Sequence, residues 1–403
     1  MNNKITIIGI NYYPEDSAIG LYTTEKAEYL AENGFEVTVI TGFPYYPQWK
    51  ILNSYQDKPL FFKETVNGAK VLRIKQYVPS NPSFTKRIIH LLSFTFGSVI
   101  NLFKTPKPDI VISIVPFTTS IFLGWLLKLR YKSKLWVHIQ DFEFDAALDS
   151  GLINKNSKTI FKILMWIEKK LLNKADVIST ISYGMLNKLK GKTSASSYYL
   201  TNWIDVSLFN ESHKKHPYLQ SKKFKILYSG NIGAKQDWVL FYKLMGELQH
   251  LDNIEVIIVG DGAEKKNLIK NIEQFNFVKH YGLVPYSDLP SLLMGADAHI
   301  LLQKTEVIDT VMPSKLLGMM ASGKPSIVTG NPKSEVAKVI EESKGGYYLV
   351  GNSTSEIKKH LLFLMNNPDV AGEFGDNAKK YVKAYFSKIE VLDKFSNEIK
   401  NML

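Results

Sequence analysis

Short runs of aliphatic and β-branched residues alternate with helical patterns along the whole chain of 403 residues, and this alternation limits the possible folds more than any other feature. The runs are apolar at successive positions, which is typical of parallel strands covered by helices on both faces. The pattern therefore predicts an α/β protein with doubly wound sheets. The runs are KITIIGI, EVTVIT, DIVISIV, KLWVHIQ and DVISTIS, then FKILYSG, IEVIIVG, AHILLQ and PSIVT.

The strand pattern falls into two groups, separated by a polar, turn-rich stretch from Asn202 to Lys225. A chain of this length is too long for one ordinary core and suits two domains of about 150 to 200 residues. We predict a first domain at residues 1–208 and a second at 209–383. The helical tail, about 384–403, carries aromatic and aliphatic residues, and we expect it to cross back to the first domain.

The net charge of +12 is concentrated in the first half of the chain. Residues 1–205 hold 25 Lys and Arg against 16 Asp and Glu, giving +9, and the remainder holds 25 against 22, giving +3. Basic surface attracts nucleic acid and anionic lipid alike, so the sign does not choose between them. The chain has no cysteine, which excludes disulfides, thiolate metal sites and a cysteine nucleophile and fits a cytoplasmic protein.

Two apolar segments raise the question of export or membrane insertion. The run from Ile5 to Ile10 is short for the core of a signal peptide and is predicted as the first strand. The uncharged span from Ile110 to Leu127 touches the lower limit for crossing a membrane, but Pro116 interrupts it. We predict a buried strand, a turn and a helix there.

Candidate site residues of the first domain follow its predicted strands, because ligands of doubly wound sheets bind beyond the carboxyl ends of the strands. Gly20 is predicted to precede a helix, where backbone amides and the helix dipole favour an anion, although a simple turn explains it equally well. His138 and Asp141 follow the run KLWV, in HIQDFEFDA. A lone histidine at a strand end is either structural or catalytic. The alternating acids resemble a metal-binding Asp-x-Asp pattern, which is short and frequent by chance.

The second domain opens with a candidate phosphate loop, ILYSGNIGAKQDW, in which Lys235 lies among glycines between a strand and a helix. A lysine in this position can reach a phosphate, although the Walker pattern is not present. The later sequence VGDGAEKKNL, with Gly260 and Gly262, is a weak dinucleotide fingerprint because it has no third glycine.

A third candidate anion site lies in VIDTVMPSKLLGMMASGKP. We place Pro313 in the first turn of a helix, where proline is favoured. The amides of Ser314 and Lys315 would then be available to an anion, with an ammonium group nearby. An ordinary helix start with a solvent-facing lysine is the alternative. Together, the three glycine or lysine loops at strand ends favour a diphosphate ligand held between the domains.

Longer motifs resemble glycosyltransferase family 4, and the resemblance extends over essentially the whole chain. The relevant segments are FPYYPQWK, HIQDFEFDA, YSGNIGAKQ and VMPSK, together with the spacing from Pro14 to Gly20. More narrowly, they are similar to bacterial fucosyl- and fucosaminyltransferases of colanic acid, capsule and O-antigen synthesis. The resemblance implies a GT-B fold, in which two Rossmann-like domains face each other across a deep cleft.

The resemblance also implies roles for individual residues. His138 would lie near the donor sugar and its reacting carbon, with Asp141 orienting His138 or the acceptor. Lys235 would bind the diphosphate, and Asn231 stands where the family has a partner arginine. The amides of Gly20 and of the residues after Pro313 would bind the distal phosphate from two sides. The base would be gripped by residues of the loop HYGLVP and by a neighbouring glycine: Gly260, Gly282, Leu283 and Val284.

The sequence departs from the family at two acidic positions. Many members have two glutamates eight residues apart, and Thr310 and Gly318 occupy those positions here. Asp309 is a candidate replacement for the first, whereas nothing replaces the second, which holds the ribose in relatives. The identity of the nucleotide and of the sugar therefore does not transfer readily from better-known members.

The resemblance implies a retaining transferase that takes its sugar, L-fucose or N-acetyl-L-fucosamine, from a GDP- or UDP-linked donor. No metal or other cofactor is required, since the diphosphate itself helps to deprotonate the acceptor. The acceptor would be a lipid-linked saccharide, which predicts a cytoplasmic enzyme peripheral on the inner face of the cell membrane. A GT-B sugar-nucleotide epimerase and a basic nucleic-acid-binding protein are the alternatives, and no nucleic-acid-binding motif supports the second.

Two helices are candidates for the membrane contact. The uncharged segment from Ile88 to Phe103 follows Lys86 and Arg87, and at about 24 Å it is too short to span a bilayer. It suits a helix lying on an anionic surface, or else a buried helix of the first domain. The amphipathic segment from Phe161 to Lys174 has the same two interpretations.

Overall fold

Two parallel-type sheets flanked by helices form the fold. The computed structural model describes residues 3–16, 18–116, 118–142, 158–210, 215–307, 313–351 and 353–403. Within them, the first sheet comprises β1 (Lys4–Ile8), β2 (Glu36–Gly42), β3 (Phe61–Val66), β4 (Ala69–Ile74), β5 (Ile110–Val115), β6 (Lys134–Ile139), β7 (Val177–Thr180) and β8 (Ser196–Tyr199). The second sheet comprises β9 (Phe224–Ser229), β10 (Ile254–Val259), β11 (Val278–Tyr281), β12 (Ala298–Leu302), β13 (Ser326–Thr329) and β14 (Gly346–Leu349).

The helices alternate with these strands. Those of the first half are α1 (Ala18–Glu32), α2 (Asn53–Gln56), α3 (Phe84–Lys104), α4 (Thr118–Tyr131), α5 (Lys158–Leu172) and α6 (Tyr183–Lys190). Those of the second half are α7 (Trp238–Leu248), α8 (Lys265–Ile272), α9 (Leu289–Met294), α10 (Ser314–Ala321), α11 (Glu335–Ser343), α12 (Thr354–Asn366), α13 (Pro368–Tyr385) and α14 (Lys388–Met402). Side-chain caps begin several of them, for example Asp237, whose carboxylate accepts the amide of Leu240 at 2.9 Å.

Strand order identifies both sheets as doubly wound. The first runs β3-β4-β2-β1-β5-β6-β7-β8 and the second β11-β10-β9-β12-β13-β14. In each, the chain starts near the middle and builds outwards in both directions, which confirms the predicted α/β class. The strand, turn and helix predicted within Ile110–Leu127 are β5 and the beginning of α4.

The expectation that the strands are parallel is wrong for β3, which pairs antiparallel with β4 at the edge of the first sheet. Asn67 and Gly68 join the two strands and both have positive φ, 44° and 84°. An Asn-Gly pair of this kind is the usual signal for a tight β-hairpin. That signal is present in FFKETVNGAKVLRI, so the hairpin was available from the sequence.

The chain divides into two compact units. The first contains Met1–Leu200 and Leu392–Leu403, and the second contains Thr201–Val391. The change of unit thus falls eight residues before the boundary predicted at 208. In the first unit, the ring of Phe395 packs edge-on against buried Trp136 at a centroid distance of 5.2 Å, and the hydroxyl of Tyr29 donates to Asp393.

Candidate active site

Polar groups converge at the carboxyl edge of the first sheet, where His138 is the penultimate residue of β6. The imidazole is only 1% exposed. Its Nδ1 lies 2.8 Å from Ser179 Oγ, and its Nε2 lies 2.9 Å from the side-chain Nε2 of Gln140. Trp136 Nε1 donates to the same Ser179 oxygen at 2.7 Å. One arrangement satisfies these contacts, in which Gln140 donates to Nε2 and Nδ1–H donates to Ser179.

His138 is held in its neutral form. Burial lowers its pKa well below the ordinary value, and the charge of Lys26 lowers it further. Because both ring nitrogens face protein groups, the imidazole meets a ligand only if Gln140 moves. Asp141 follows at the strand end with its side chain exposed, so this pair combines a locked ring with an accessible carboxylate.

Lys26 of α1 is a buried charge that the sequence analysis missed. It is fully buried, and burial lowers its pKa to about 7, with Glu25 acting in the opposite direction. Its spacing indicates that it faces inward. It lies three residues after buried Thr23 and four before buried Leu30, and residues at these spacings share one face of a helix. A lysine at such a position of α1 necessarily faces the sheet.

Gly20 lies inside the first turn of α1, which begins at Ala18, and not before the helix as expected. A Cβ at this position would stand 2.7 Å from the Cβ of Glu15 and 2.9 Å from its carbonyl oxygen. The glycine therefore lets the first turn of the helix pack over buried Glu15. Its predicted contact with a phosphate stays a prediction.

The second sheet brings three loops together at its carboxyl edge. Gly260 and Gly262, after β10, have φ of 159° and 156°. A Cβ at Gly260 would stand 2.0 Å from the carbonyl oxygen of Gly230, and one at Gly262 would stand 2.3 Å from that of Ile232. These glycines are required because the backbones after β9 and β10 approach so closely. Gly260 is also joined to β11, since its amide donates to Tyr281 at 3.1 Å.

Lys315 joins the start of α10 to the loop after β9. Its Nζ donates to the hydroxyl of Tyr228 at 3.1 Å and lies 5.0 Å from the centre of that ring. The Tyr228 hydroxyl in turn donates to the carbonyl oxygen of Asn231 at 2.6 Å. The structure thus brings Asn231 and Lys315 together although 84 positions separate them. Burial raises the pKa of Tyr228, so its hydroxyl stays protonated and keeps its donor role.

The other predicted residues lie nearby or outside the described chain. Lys235 is exposed in the turn before α7, and its carbonyl oxygen accepts the amide of Lys304 at 3.1 Å. Gly282, Leu283 and Val284 follow β11, with Leu283 67% exposed. Asp309 lies outside the described residues.

The start of α10 differs by one residue from the prediction. Pro313 is extended, with φ −67° and ψ 126°, and it caps a helix that begins at Ser314. Its carbonyl oxygen accepts the amide of Leu316 at 2.9 Å. Gly318 is buried in the same helix, and a Cβ there would stand 2.9 Å from Leu293 Cδ1. A glutamate at 318 would therefore require the side chain of Leu293 on α9 to move.

The second edge therefore combines backbone amides, a helix start and two lysines. Helix N-termini carry about half a positive charge, and ammonium groups add full ones. Such a set of donors suits a diphosphate. In the described part of the chain, no group of three His, Asp or Glu side chains is arranged to hold a metal ion.

The fold and the second edge define the class, and comparison with known families agrees. Residues 17–193 match the glycosyl transferase 4-like domain, and residues 209–381 match glycosyl transferases group 1. The chain belongs to the group 1 glycosyltransferases, and it is an enzyme of GT-B fold.

A full-length relative and two solved structures extend the comparison. The putative colanic acid biosynthesis glycosyl transferase WcaI of Escherichia coli K12 is 33% identical over 98% of this chain and 100% of its own length. The sucrose-phosphate synthase of Thermosynechococcus elongatus superposes with a TM-score of 0.74 at 13% identity, over 100% of this chain and 99% of that one. Anabaena HepE, solved with UDP, gives a TM-score of 0.68 at 12% identity, over 99% and 100%. The family match favours neither the epimerase nor the nucleic-acid-binding alternative.

Proposed function

We propose that the enzyme is a retaining transferase that takes a sugar from a nucleotide diphosphate sugar, and that the second unit holds the donor. The observation that carries this proposal is the position of Lys315, whose ammonium group lies beside the loop after β9 and next to Asn231. Its contact with Tyr228 and the amides after Pro313 are fixed before a ligand arrives, and the exposed side chain of Lys235 would complete the set of donors. Fixed donors stabilise the negative charge that develops on a diphosphate leaving group.

The nucleoside would bind beside this diphosphate site. The backbone of Gly282, Leu283 and Val284 would grip the base, next to Gly260. HepE, which shares the fold, was solved with UDP, and this supports a nucleotide-linked donor. The two lysines and the amides take the part that a divalent ion plays in other transferases, so the proposed reaction needs no metal.

The first unit would hold the acceptor and the proposed catalytic pair. The neutral ring of His138 would face the donor sugar after Gln140 moves, with Asp141 orienting His138 or the acceptor hydroxyl. The diphosphate would accept the proton of that hydroxyl, so no protein nucleophile takes part. Replacing His138 should then reduce turnover more than donor affinity.

The sugar and pathway follow from the resemblance and from the relative. We propose transfer of L-fucose or N-acetyl-L-fucosamine to a lipid-linked saccharide, in the synthesis of a capsule, exopolysaccharide or O-antigen. The relative named for colanic acid biosynthesis supports a polysaccharide pathway.

A membrane contact through α3 would bring the enzyme to such an acceptor. One side of α3 is buried through residues such as Phe94 and Ser98, while the other side exposes an apolar stripe. The stripe has helical spacing and consists of Ile89, Leu92, Phe96, Ile100 and Phe103. Phe96 is 70% exposed and Phe103 is 68% exposed. In the described part of the chain, no helix has the length and apolar character to cross a bilayer.

Basic residues frame this surface. Lys86 and Arg87 lie in the first turn of α3, and Lys104 is the last residue of this helix. Exposed Ile163, Trp166 and Ile167 of α5 add a second apolar stripe, and α4 packs against both helices. Apolar side chains among lysines and arginines suit the inner, anionic face of a cell membrane.

Donor binding is tested by thermal-shift measurement with GDP, UDP and their sugars, since a ligand of the folded state raises the unfolding temperature. Lys235→Ala should lower the affinity by about tenfold for whichever nucleoside diphosphate the wild type binds. Lys270→Ala, which removes an exposed lysine of α8, is the control. Unchanged affinity in Lys235→Ala, measured by calorimetry, would exclude the role of this lysine.

Membrane binding is tested by co-sedimentation with phosphatidylglycerol vesicles. Replacing Phe96 and Phe103 by serine should lower the bound fraction severalfold, and so should reversing the charges of Lys86 and Arg87. Val239→Ser changes an apolar residue of α7 that is 62% exposed and is the matched control. Undiminished sedimentation of both α3 variants would show that this helix does not contact lipid.

A further inference from the structure

Two Tyr-Tyr-Pro sequences follow the first two strands of the sheet, and each presents one tyrosine to solvent. In NYYPE after β1, Tyr12 is 1% exposed and Tyr13 is 45% exposed. In FPYYPQ after β2, Tyr45 is 2% exposed and Tyr46 is 39% exposed. The strands β1 and β2 are neighbours and run in parallel. The same arrangement, a buried tyrosine followed by an exposed one, therefore occurs twice at one edge of the sheet.

Buried Glu15 holds the backbones of both segments. Its Oε1 accepts the amides of Tyr45 and Tyr46, each at 2.8 Å, and its Oε2 accepts from the side chain of Asn11 at 2.8 Å. Its own amide donates to the carbonyl oxygen of Tyr12 at 3.2 Å. One carboxyl group thus ties the backbone that carries Tyr46 to the segment that carries Tyr13.

Arg73 of β4 provides a second buried support. Its side chain is fully buried and donates to the carbonyl oxygens of Tyr13 and Gly42, at 2.5 Å and 3.0 Å, and to Glu64. Gln76 binds both backbone groups of Phe43. Burying an arginine and a carboxyl group is costly unless both are fully engaged. Here the engaged groups are the backbones that carry Tyr13 and Tyr46.

We propose that Tyr13 and Tyr46 form a stacking surface for a sugar ring of the acceptor saccharide. This deepens the proposed transferase function and rests on it, because the edge concerned belongs to the unit assigned to the acceptor. The edge beyond the carboxyl ends of β1 and β2 is where doubly wound sheets bind ligands. Rigid aromatic rings with few rotatable bonds fit the C–H face of a pyranose, and their hydroxyls can bind its oxygens.

The test uses saturation-transfer NMR on the full-length enzyme with the methyl glycosides of glucose, galactose and N-acetylglucosamine. We expect transfer to at least one of them, strongest at ring C–H protons. Replacing Tyr13 and Tyr46 together by alanine should reduce it at least about fivefold, whereas replacing both by phenylalanine should retain most of it. Tyr385→Ala, which removes a tyrosine of α13 that is 59% exposed, should have no effect.

Two further measurements separate this proposal from others. Calorimetry with UDP and GDP should give the same affinity for the double alanine variant and for the wild type, so failure of the stacking surface is distinguishable from failure of the donor site. Absence of transfer in the wild type, or equal transfer in the double alanine variant, would overturn the proposal. The proposal would also be overturned if the double alanine variant no longer bound phosphatidylglycerol vesicles but showed unchanged saturation transfer to the glycosides. The two rings would then be lipid contacts.

Discussion

The two sheets build their carboxyl edges from opposite materials. The first edge contains buried polar groups, namely Glu15, Arg73, His138 and Lys26, whereas the rings of Tyr13 and Tyr46 are exposed there. The second edge is built from glycines such as Gly260, whose backbones approach closely, and from lysines near or at the surface. Buried, engaged groups fix the shape of an edge, whereas amides and ammonium groups give it charge. The comparison is consistent with the proposal that the first edge recognises a saccharide by shape and that the second binds a diphosphate.

The net charge of the two halves of the chain does not follow this difference between the edges. The first half of the chain carries most of the excess positive charge, yet the lysines aligned with a helix start and glycine loops are in the second half. The surplus of the first half includes Lys86, Arg87 and Lys104, which frame the apolar stripe of α3. Local placement of charge, and not its total, therefore separates the proposed diphosphate site from the proposed membrane contact.

The largest effect is expected from Arg73→Met, which removes the main support of the first edge. Glu64 would lose its buried partner and two carbonyl oxygens would lose a donor, so the first unit should lose about 3–5 kcal/mol of its free energy of unfolding. Urea unfolding followed by circular dichroism measures this loss. Arg130→Met is the control, because the guanidinium of Arg130 lies on exposed Phe103. A loss below about 1 kcal/mol would show that the buried network does not stabilise this edge.

Lys315→Ala tests the anion site of the second edge. The loss of a charged hydrogen-bond donor should weaken binding of UDP or GDP by about 10- to 100-fold, corresponding to roughly 1.5–3 kcal/mol. Isothermal titration calorimetry gives the affinity directly. Lys338→Ala removes a lysine whose side chain is 60% exposed on α11 and should bind the nucleotide normally. Equal affinities for all three proteins would remove the second edge from the donor site.

Both units bury a neutral histidine, and this similarity can be tested by pH. His299 of β12 is fully buried, with Nε2 2.9 Å from Ser322 Oγ, and burial lowers its pKa to about 3. His138 also has a lowered pKa, so below the ordinary value of about 6.5 only the unfolded chain binds these protons. The contribution of these two histidines to stability is therefore complete above pH 6.5 and is lost as the pH falls.

The expected size is about 1 kcal/mol per pH unit for each histidine between pH 6.5 and 5.5. Urea unfolding at pH 7.5, 6.5 and 5.5 measures this slope in the wild type, in His138→Gln and in His299→Gln. Each substitution should remove its own share of the slope, whatever it does to stability at pH 7.5. A slope that does not change in His138→Gln would mean that this histidine is protonated in the folded enzyme.

Local patterns predicted most of the fold, since every apolar run listed from the sequence became a strand. The strands β3, β4, β8, β11 and β14 were missed. The last three have only four residues each, and segments such as SSYY or VKHY carry no clear alternation. At the second edge, the glycine and lysine pattern identified loops that do lie at the carboxyl ends of β9 and β10, because the residues of each loop are contiguous in the sequence. The contact of Lys315 with Tyr228 joins distant segments, and no local pattern contains it.

At the first edge, the important residues were the least visible in the sequence. Glu15 and Arg73 look like ordinary surface charges, because their burial depends on segments 30 or more residues away. The two Tyr-Tyr-Pro sequences are visible in the sequence, but packing determines which tyrosine of each pair is exposed. A structure was therefore needed to separate supporting residues from presented ones.

The smallest effect is expected at Gly318, which occupies the position of a glutamate in the family and is buried in the second unit. Alanine is favoured over glycine within a helix by about 1 kcal/mol, but its Cβ would stand 2.9 Å from Leu293 Cδ1. We expect Gly318→Ala to destabilise the enzyme by at most about 1 kcal/mol, and to stabilise it when Leu293 is already alanine. A double-mutant cycle measured by urea unfolding gives this coupling directly. Equal effects in both backgrounds would show that Leu293 does not exclude a side chain at 318, and that the ribose-binding glutamate is missing for another reason.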